Sequence, residues 1–191
     1  AWEYLDGWAY RTGGTAGAFN VSDWSFSGAN AWDGETTNAG ATSVMPIGTY
    51  SDASEPSEPG EPSEPSEPSE PSEPDDTATL IITGVFDGPL SGGTPKGIEL
   101  YATADIADLS IYGIGSANNG DGSDGSEFTL SGSATAGDYI YVVASGNEDE
   151  FTSFFGGSAT FTSGALGING DDAIELYSLA GEGPLVIDTF G

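Results

Sequence analysis

The chain has 191 residues, of which 31 are Asp or Glu and 2 are Lys or Arg, for a formal net charge of −29, and it contains neither Cys nor His. So acidic a surface disfavours nucleic acid and anionic membrane as partners and suits a salty or calcium-rich medium. Without Cys there are no disulfides or thiolate metal sites, and without His the usual general base, the Ser-His triad and the common zinc ligand are missing, so catalysis would rest on carboxylates alone and a non-enzyme is expected. No apolar run reaches the length needed to span a membrane as a helix.

Residues 1–53 form the first of three parts. They open A-W-E-Y-L-D-G-W-A-Y-R, placing Trp2, Tyr4, Leu5, Trp8 and Tyr10 close together. A terminal segment this aromatic is expected to be buried against strands of its own chain or of a neighbour, because frayed ends are normally small and polar. Trp24 and Phe26 alternate with Ser25 and Ser27, as in a strand with one buried face. Trp2, Trp8, Trp24 and Trp32 carry an alternative reading as a sugar-stacking platform. Because the sequence starts at Ala1, it is expected to be a processed product or one repeat of a longer polypeptide.

Residues 54–76 are a periodic insert. From Ser54 to Pro74 the triplet Ser-Glu-Pro recurs, with Gly60 once in place of Ser, so glutamates fall at every third position from Glu55 to Glu73. Polyproline II has three residues per turn, which lines these carboxylates along one ridge. At about 3.1 Å per residue the run is a semi-rigid rod of roughly 65 Å. It reads as a charged spacer; Ser57, Ser63, Ser66, Ser69 and Ser72 on a second ridge are candidates for O-linked sugar, with docking of the rod on a neighbour as the third reading.

Residues 77–191 read as strands throughout. Leu80–Phe86 is apolar on both faces; at 98–101, Ile98 and Leu100 face one way and Glu99 and Tyr101 the other, the pattern of a half-buried strand. Further strands are predicted around Leu109 and Ile111, at Phe128–Leu130, at Tyr139–Ala144, around Ile174 and Leu176, and around Leu185 and Ile187, with one helical turn at Glu148–Phe155. Short strands between Gly-rich turns indicate an all-β sandwich.

Three acidic groups are candidate Ca²⁺ ligands. Asp121, Asp124 and Glu127 lie on a Gly-rich loop and offer hard oxygens, although Asp124 stands where an EF-hand needs glycine; the competing reading is a solvated turn. Asp171 and Asp172 precede a strand and read equally as turn formers, and Asp6 with Asp33 and Glu35 is a weaker set. No other cofactor is implied. The lone cations, Arg11 and Lys96, are read as surface positions, with a carboxylate partner at a subunit contact as the alternative.

The blocks G-I-E-L-Y (97–101), A-D-L-S-I-Y (107–112), A-G-D-Y-I-Y-V-V-A (136–144), F-F-G (154–156), N-G-D-D-A-I-E-L-Y (169–177) and V-I-D-T-F-G (186–191) resemble, in family order, the bacterial secreted form of the lamin-tail domain. The blocks W-E-Y-L-D-G-W-A-Y-R (2–11), W-S-F-S-G (24–28), N-A-W-D-G-E-T-T-N (30–38) and M-P-I-G-T-Y (45–50) resemble that family's ending, here placed first. The resemblance implies an immunoglobulin-like sandwich in an extracellular or cell-surface protein, either circularly permuted or split. A split domain implies a homopolymer joined head to tail, with Trp2, Tyr4, Leu5, Trp8, Tyr10, Trp24 and Phe26 as the donated interface, and hence a structural filament. The alternative is a non-catalytic accessory module, for adhesion or carbohydrate binding, of a secreted protein such as an extracellular nuclease.

Overall fold

The computed structural model describes residues 2–51, 78–120, 122, 123 and 125–191. Among these residues ten strands form two sheets, accompanied by one short helix. In chain order they are β1 (Gly7–Arg11), β2 (Trp24–Phe26), β3 (Leu80–Leu90), β4 (Thr94–Ala102), β5 (Tyr112–Ala117), β6 (Phe128–Thr129), β7 (Tyr139–Ala144), α1 (Glu148–Phe155), β8 (Phe161–Ser163), β9 (Ala173–Ser178) and β10 (Leu185–Phe190). The larger sheet runs β2-β1-β3-β4-β7-β8 and the smaller β10-β9-β5-β6. Neighbouring strands are antiparallel except β7 and β8.

The inner core lies between the sheets. Leu80, Ile82, Ile98, Leu100, Ile140 and Val142 from the larger sheet meet Ile114, Ile174, Leu176 and Phe190 from the smaller one. A second core covers the outer face of the larger sheet, where Phe86 and Val143 lie with Trp8, Tyr10, Trp32, Met45 and the α1 residues Phe151 and Phe154. β4 is therefore buried on both faces, which corrects the expectation of a half-buried strand: Glu99 is 0% exposed. The alternation was real, but the face carrying Glu99 is roofed by residues from the N-terminal part.

The helical turn lies where the sequence places it. Glu148, Asp149 and Glu150 sit in its first turn, where the helix dipole favours negative charge, and Gly156 closes it in the left-handed conformation. Leu109–Ile111 is a single 3-10 turn instead of a strand, because Asp108 Oδ1 accepts from Ser110 N at 2.9 Å and bends the chain before β5. β5 was hidden in the sequence by Gly113 and Gly115, needed because a Cβ would meet Ser126 Oγ at 2.1 Å and Gly125 O at 2.3 Å. β8 has three residues and an alternation too brief to read.

Gly97 marks how tightly β4 packs. A Cβ there would stand 2.5 Å from Val142 O and 2.7 Å from Phe86 Cζ, whereas at Gly157 it would meet nothing within 4 Å. Gly97→Ala is expected to destabilise the fold by about 1–3 kcal/mol through overpacking. Urea titration should give a lower midpoint with unchanged slope, and Gly157→Ala should move the midpoint far less.

Candidate functional site

The region with the most built chemistry is the seam between residues 2–51 and residues 78–191. β1, buried along its whole length, pairs with β3 on one side (Trp8 opposite Phe86, Tyr10 opposite Gly84) and with β2 on the other. Its alternation sends Ala9 and Arg11 into the inner core and Trp8 and Tyr10 into the outer one. Three clusters fasten the two parts together.

At the first, the ring of Phe190 is ringed by Trp24 at 4.7 Å, Phe19 at 5.4 Å, Tyr4 at 5.5 Å, Trp2 at 5.7 Å and Phe26 at 6.4 Å between centroids. All five come from the N-terminal part, mostly in tilted or edge-on geometry worth about 0.5–1.5 kcal/mol per pair beyond area burial. Tyr4 adds polar anchors: its hydroxyl donates to Asp172 O at 3.0 Å and its amide to Gly170 O at 2.9 Å.

The second cluster is an ion pair inside the sandwich. Arg11 is 3% exposed, and its Nη2 donates to both Asp188 oxygens at 2.8 Å. Asp188 also accepts from Gly17 N at 3.0 Å and Ile82 N at 2.8 Å. Arg11 Nε donates to Ile82 O and Nη1 to Thr15 O, with the guanidinium 4.9 Å above the Trp24 ring. Reading Arg11 as a surface position is thereby corrected: the guanidinium is buried against Asp188.

Glu99 is the centre of the third. Its Oε1 accepts from Tyr10 Oη at 3.0 Å and Thr83 Oγ1 at 2.7 Å, and its Oε2 from Gly48 N at 2.6 Å. Tyr10 Oη in turn accepts from Thr49 N and Tyr50 N, so one carboxylate ties β1, β3, β4 and the 48–50 loop together. Burial raises the Glu99 carboxyl above its ordinary range, and its three donors pull the other way. Burial likewise raises Asp188, against Arg11. Desolvation also raises the Tyr10 hydroxyl well above its usual value and lifts Tyr141 to about 12.

Of the side chains expected at an interface, Tyr4, Trp8, Tyr10 and Trp24 are buried, Trp2 and Phe26 are half-buried, and Leu5 is 46% exposed. A sugar platform of four tryptophans is not formed. Trp8, Trp24 and Trp32 are at most 7% exposed, and the indoles of Trp8 and Trp32 both donate to Ser43 O.

Among the described residues, the candidate calcium ligands do not come together as a group. Asp121 and Asp124, like the candidate glycosylation serines, lie outside the described residues. Glu127 Oε2 accepts from the amide and hydroxyl of Ser116. Asp172, 1% exposed, accepts from Asn119 N and Asn169 N and so braces two loops, while Asp171 is exposed. Glu35 accepts from Thr42 N. Among the described residues no three acidic side chains converge as a metal site. Glu99 and Asp188 were not foreseen as site residues. Their signal was present: Asp188 shares a strand face with Phe190, and Glu99 lies between two apolar residues of a strand that proved central.

Compared with models of known protein families, with curated proteins and with solved structures, the chain matches none.

Breaking the buried pair on one side leaves an uncompensated charge. Arg11→Met is therefore expected to cost about 3–5 kcal/mol, and Arg11→Met with Asp188→Leu to recover much of that loss in urea titrations. For Glu99 the raised folded-state pKa means that the native state keeps a proton the unfolded chain has released. Its contribution to stability is largest below the ordinary carboxylate range and falls as pH rises through the raised value. The stability difference between wild type and Glu99→Gln should thus shift in the variant's favour as pH rises across that window; a flat difference would show that Glu99 titrates as it does when unfolded.

Proposed function

We propose that the protein is a non-catalytic structural subunit of an extracellular or cell-surface filament, in which residues 2–51 of one copy complete the two-sheet core of residues 78–191 in the next. The observation that carries this reading is β1, which with β2 comes from residues 2–51 and pairs with β3 of residues 78–191, while Phe190 of the latter meets five aromatic rings from residues 2–26. Such a segment is separable by sequence and inseparable by packing, the condition for strand donation.

The flanks of the insert bear on whether donation is to self or neighbour. The Tyr50 ring lies 5.2 Å from that of Tyr101, and Tyr101 pairs with Ile81, so both flanks leave the sandwich at the same end. The Ser-Glu-Pro insert lies outside the described residues; the rod of roughly 65 Å expected from its period would hold its ends apart. A stiff rod fits poorly between adjacent anchors on one molecule and well between two. A contact that donates at one surface and accepts at another propagates into a fibre. The lamin-tail resemblance, and with it an immunoglobulin-like fold with its final blocks moved to the front, belongs to the same proposal. Its support is that a Cβ on Gly191 would lie 3.1 Å from Trp2 Cη2, so the last family block adjoins the first.

The nearness of the insert's flanks also favours a second reading, in which each chain closes on itself as a monomeric accessory module for adhesion or carbohydrate binding. Ala9 and Val85 face each other across β1 and β3, and the chain has no cysteine of its own. Oxidised Ala9→Cys/Val85→Cys protein is expected to run as a ladder of covalent multimers on a non-reducing gel, with fibres visible by electron microscopy. A single monomer band without fibres would overturn the filament reading and leave the accessory module.

A further inference from the structure

Lys96, on β4, has a side chain 12% exposed. Its Nζ donates to Ile168 O and to Asn169 Oδ1, the latter at 3.0 Å, and stands 3.1 Å from Asp87 Oδ1. Asp87, on β3, is 0% exposed, and neither of its oxygens accepts an aligned hydrogen bond. A buried carboxylate left that way is unfavourable, and moving one proton from the ammonium to it replaces two desolvated charges with a neutral amine and a neutral acid. Burial pushes the Asp87 carboxyl up to about 6 even against the pull of Lys96. The opposing amide is held still: Asn169 N donates to Asp172 Oδ2 at 2.7 Å, and Gly170 O accepts from Tyr4 N at 2.9 Å. Glycine at two positions permits the close packing around these groups. A Cβ on Gly93 would fall 2.4 Å from Asp87 Oδ1, and one on Gly170 would fall 2.0 Å from Leu5 N.

We propose that the Lys96 amine and the Asn169 carboxamide condense into an intramolecular isopeptide bond, with Asp87 as proton carrier and ammonia as the leaving group. Lys96 Nζ first gives a proton to Asp87. Its freed lone pair then forms a bond to Asn169 Cγ while Asp87 protonates the carboxamide, giving a tetrahedral adduct. The adduct collapses by breaking the Cγ–Nδ2 bond. Asp87 passes the surplus proton from the former amine to the departing nitrogen and takes up the hydroxyl proton as the carbonyl re-forms, so one ammonium, one carboxylate and one carboxamide become one secondary amide, one carboxylic acid and one ammonia. No oxidant or co-reactant enters. The product ties β4 in the larger sheet to the turn leading into β9 in the smaller, and because Tyr4 and Leu5 position that turn, it forms on a closed seam.

Intact-mass measurement of the purified full chain is the test. The expected mass is that of the sequence less one ammonia, with a branched proteolytic peptide joining the stretches that contain Lys96 and Asn169. Asn169 precedes Gly170, a pair prone to succinimide formation, which also expels ammonia. Lys96→Arg separates the two: the variant should show the full sequence mass, and ammonia loss persisting in it would assign the chemistry to a succinimide and overturn the proposal. Wild-type protein at its full sequence mass, with no branched peptide, would overturn it as well. A branched peptide that survives Asp87→Asn would remove Asp87 from the mechanism.

Discussion

A guanidinium in the middle of a β-sandwich constrains everything around it. Arg11 can be buried only if its charge is met and its donors are filled, and the acceptors that do so come from both parts of the chain: Asp188 and Ile82 from one, Thr15 from the other. The penalty of desolvating both charges is large, and mutual attraction offsets it only with good geometry and extra hydrogen bonds, which Gly17 and Ile82 amides supply to Asp188. Meeting all these conditions fixes the register of β1 on β3. A slip of one residue would turn Arg11 to the outer face and drive Trp8 and Tyr10 into the space between the sheets. The pair thus contributes more to specifying one arrangement than to raw stability.

With that register set, the outer face follows. Tyr10 is delivered to Glu99, Glu99 holds the 48–50 loop, and Asn38 locks the same stretch by exchanging hydrogen bonds with Met45 in both directions. Met45 then lies with Trp8, Trp32 and the α1 residues Phe151 and Phe154 in the outer core that covers Phe86 and Val143, both 0% exposed. Two polar residues inside apolar surroundings therefore join two cores, and neither the inner nor the outer core is complete without residues 2–51.

Much of this was legible because local pattern and tertiary outcome agree. Tyr139–Ala144 and Glu148–Phe155 are found with the bounds read from sequence, because a doubly apolar run and an acid-led amphipathic turn are strong signals. The burial of Tyr4, Trp8 and Tyr10 followed from aromatic content, and that of Trp24 from its alternation with serines. What could not be read was pairing at a distance. Periodicity says that Glu99 faces opposite to Ile98, but nothing local says that residues 177 positions apart, Arg11 and Asp188, will meet, or that the face of β4 turned from the sandwich will be covered. The 3-10 turn at Leu109–Ile111 was misread because apolar alternation of two residues looks alike in a strand and in the turn before one.

The disposition of charge constrains how copies of this chain can meet. Both basic side chains are consumed internally, Arg11 by Asp188 and Lys96 by Asp87, so neither neutralises the acidic exterior. Two such surfaces repel at low ionic strength and gain little from each other when salt screens them. No Lys or Arg side chain is left on the exterior to pair with a neighbour's carboxylates there, and face-to-face association through the charged exterior is disfavoured. An association strong enough to persist must bury apolar area and backbone hydrogen-bonding groups, and the part of the molecule with the most of both to offer is the β1 seam, where aromatic rings and an in-register strand already provide them. The same charge that keeps the exterior from aggregating therefore directs any assembly toward exchange of a strand.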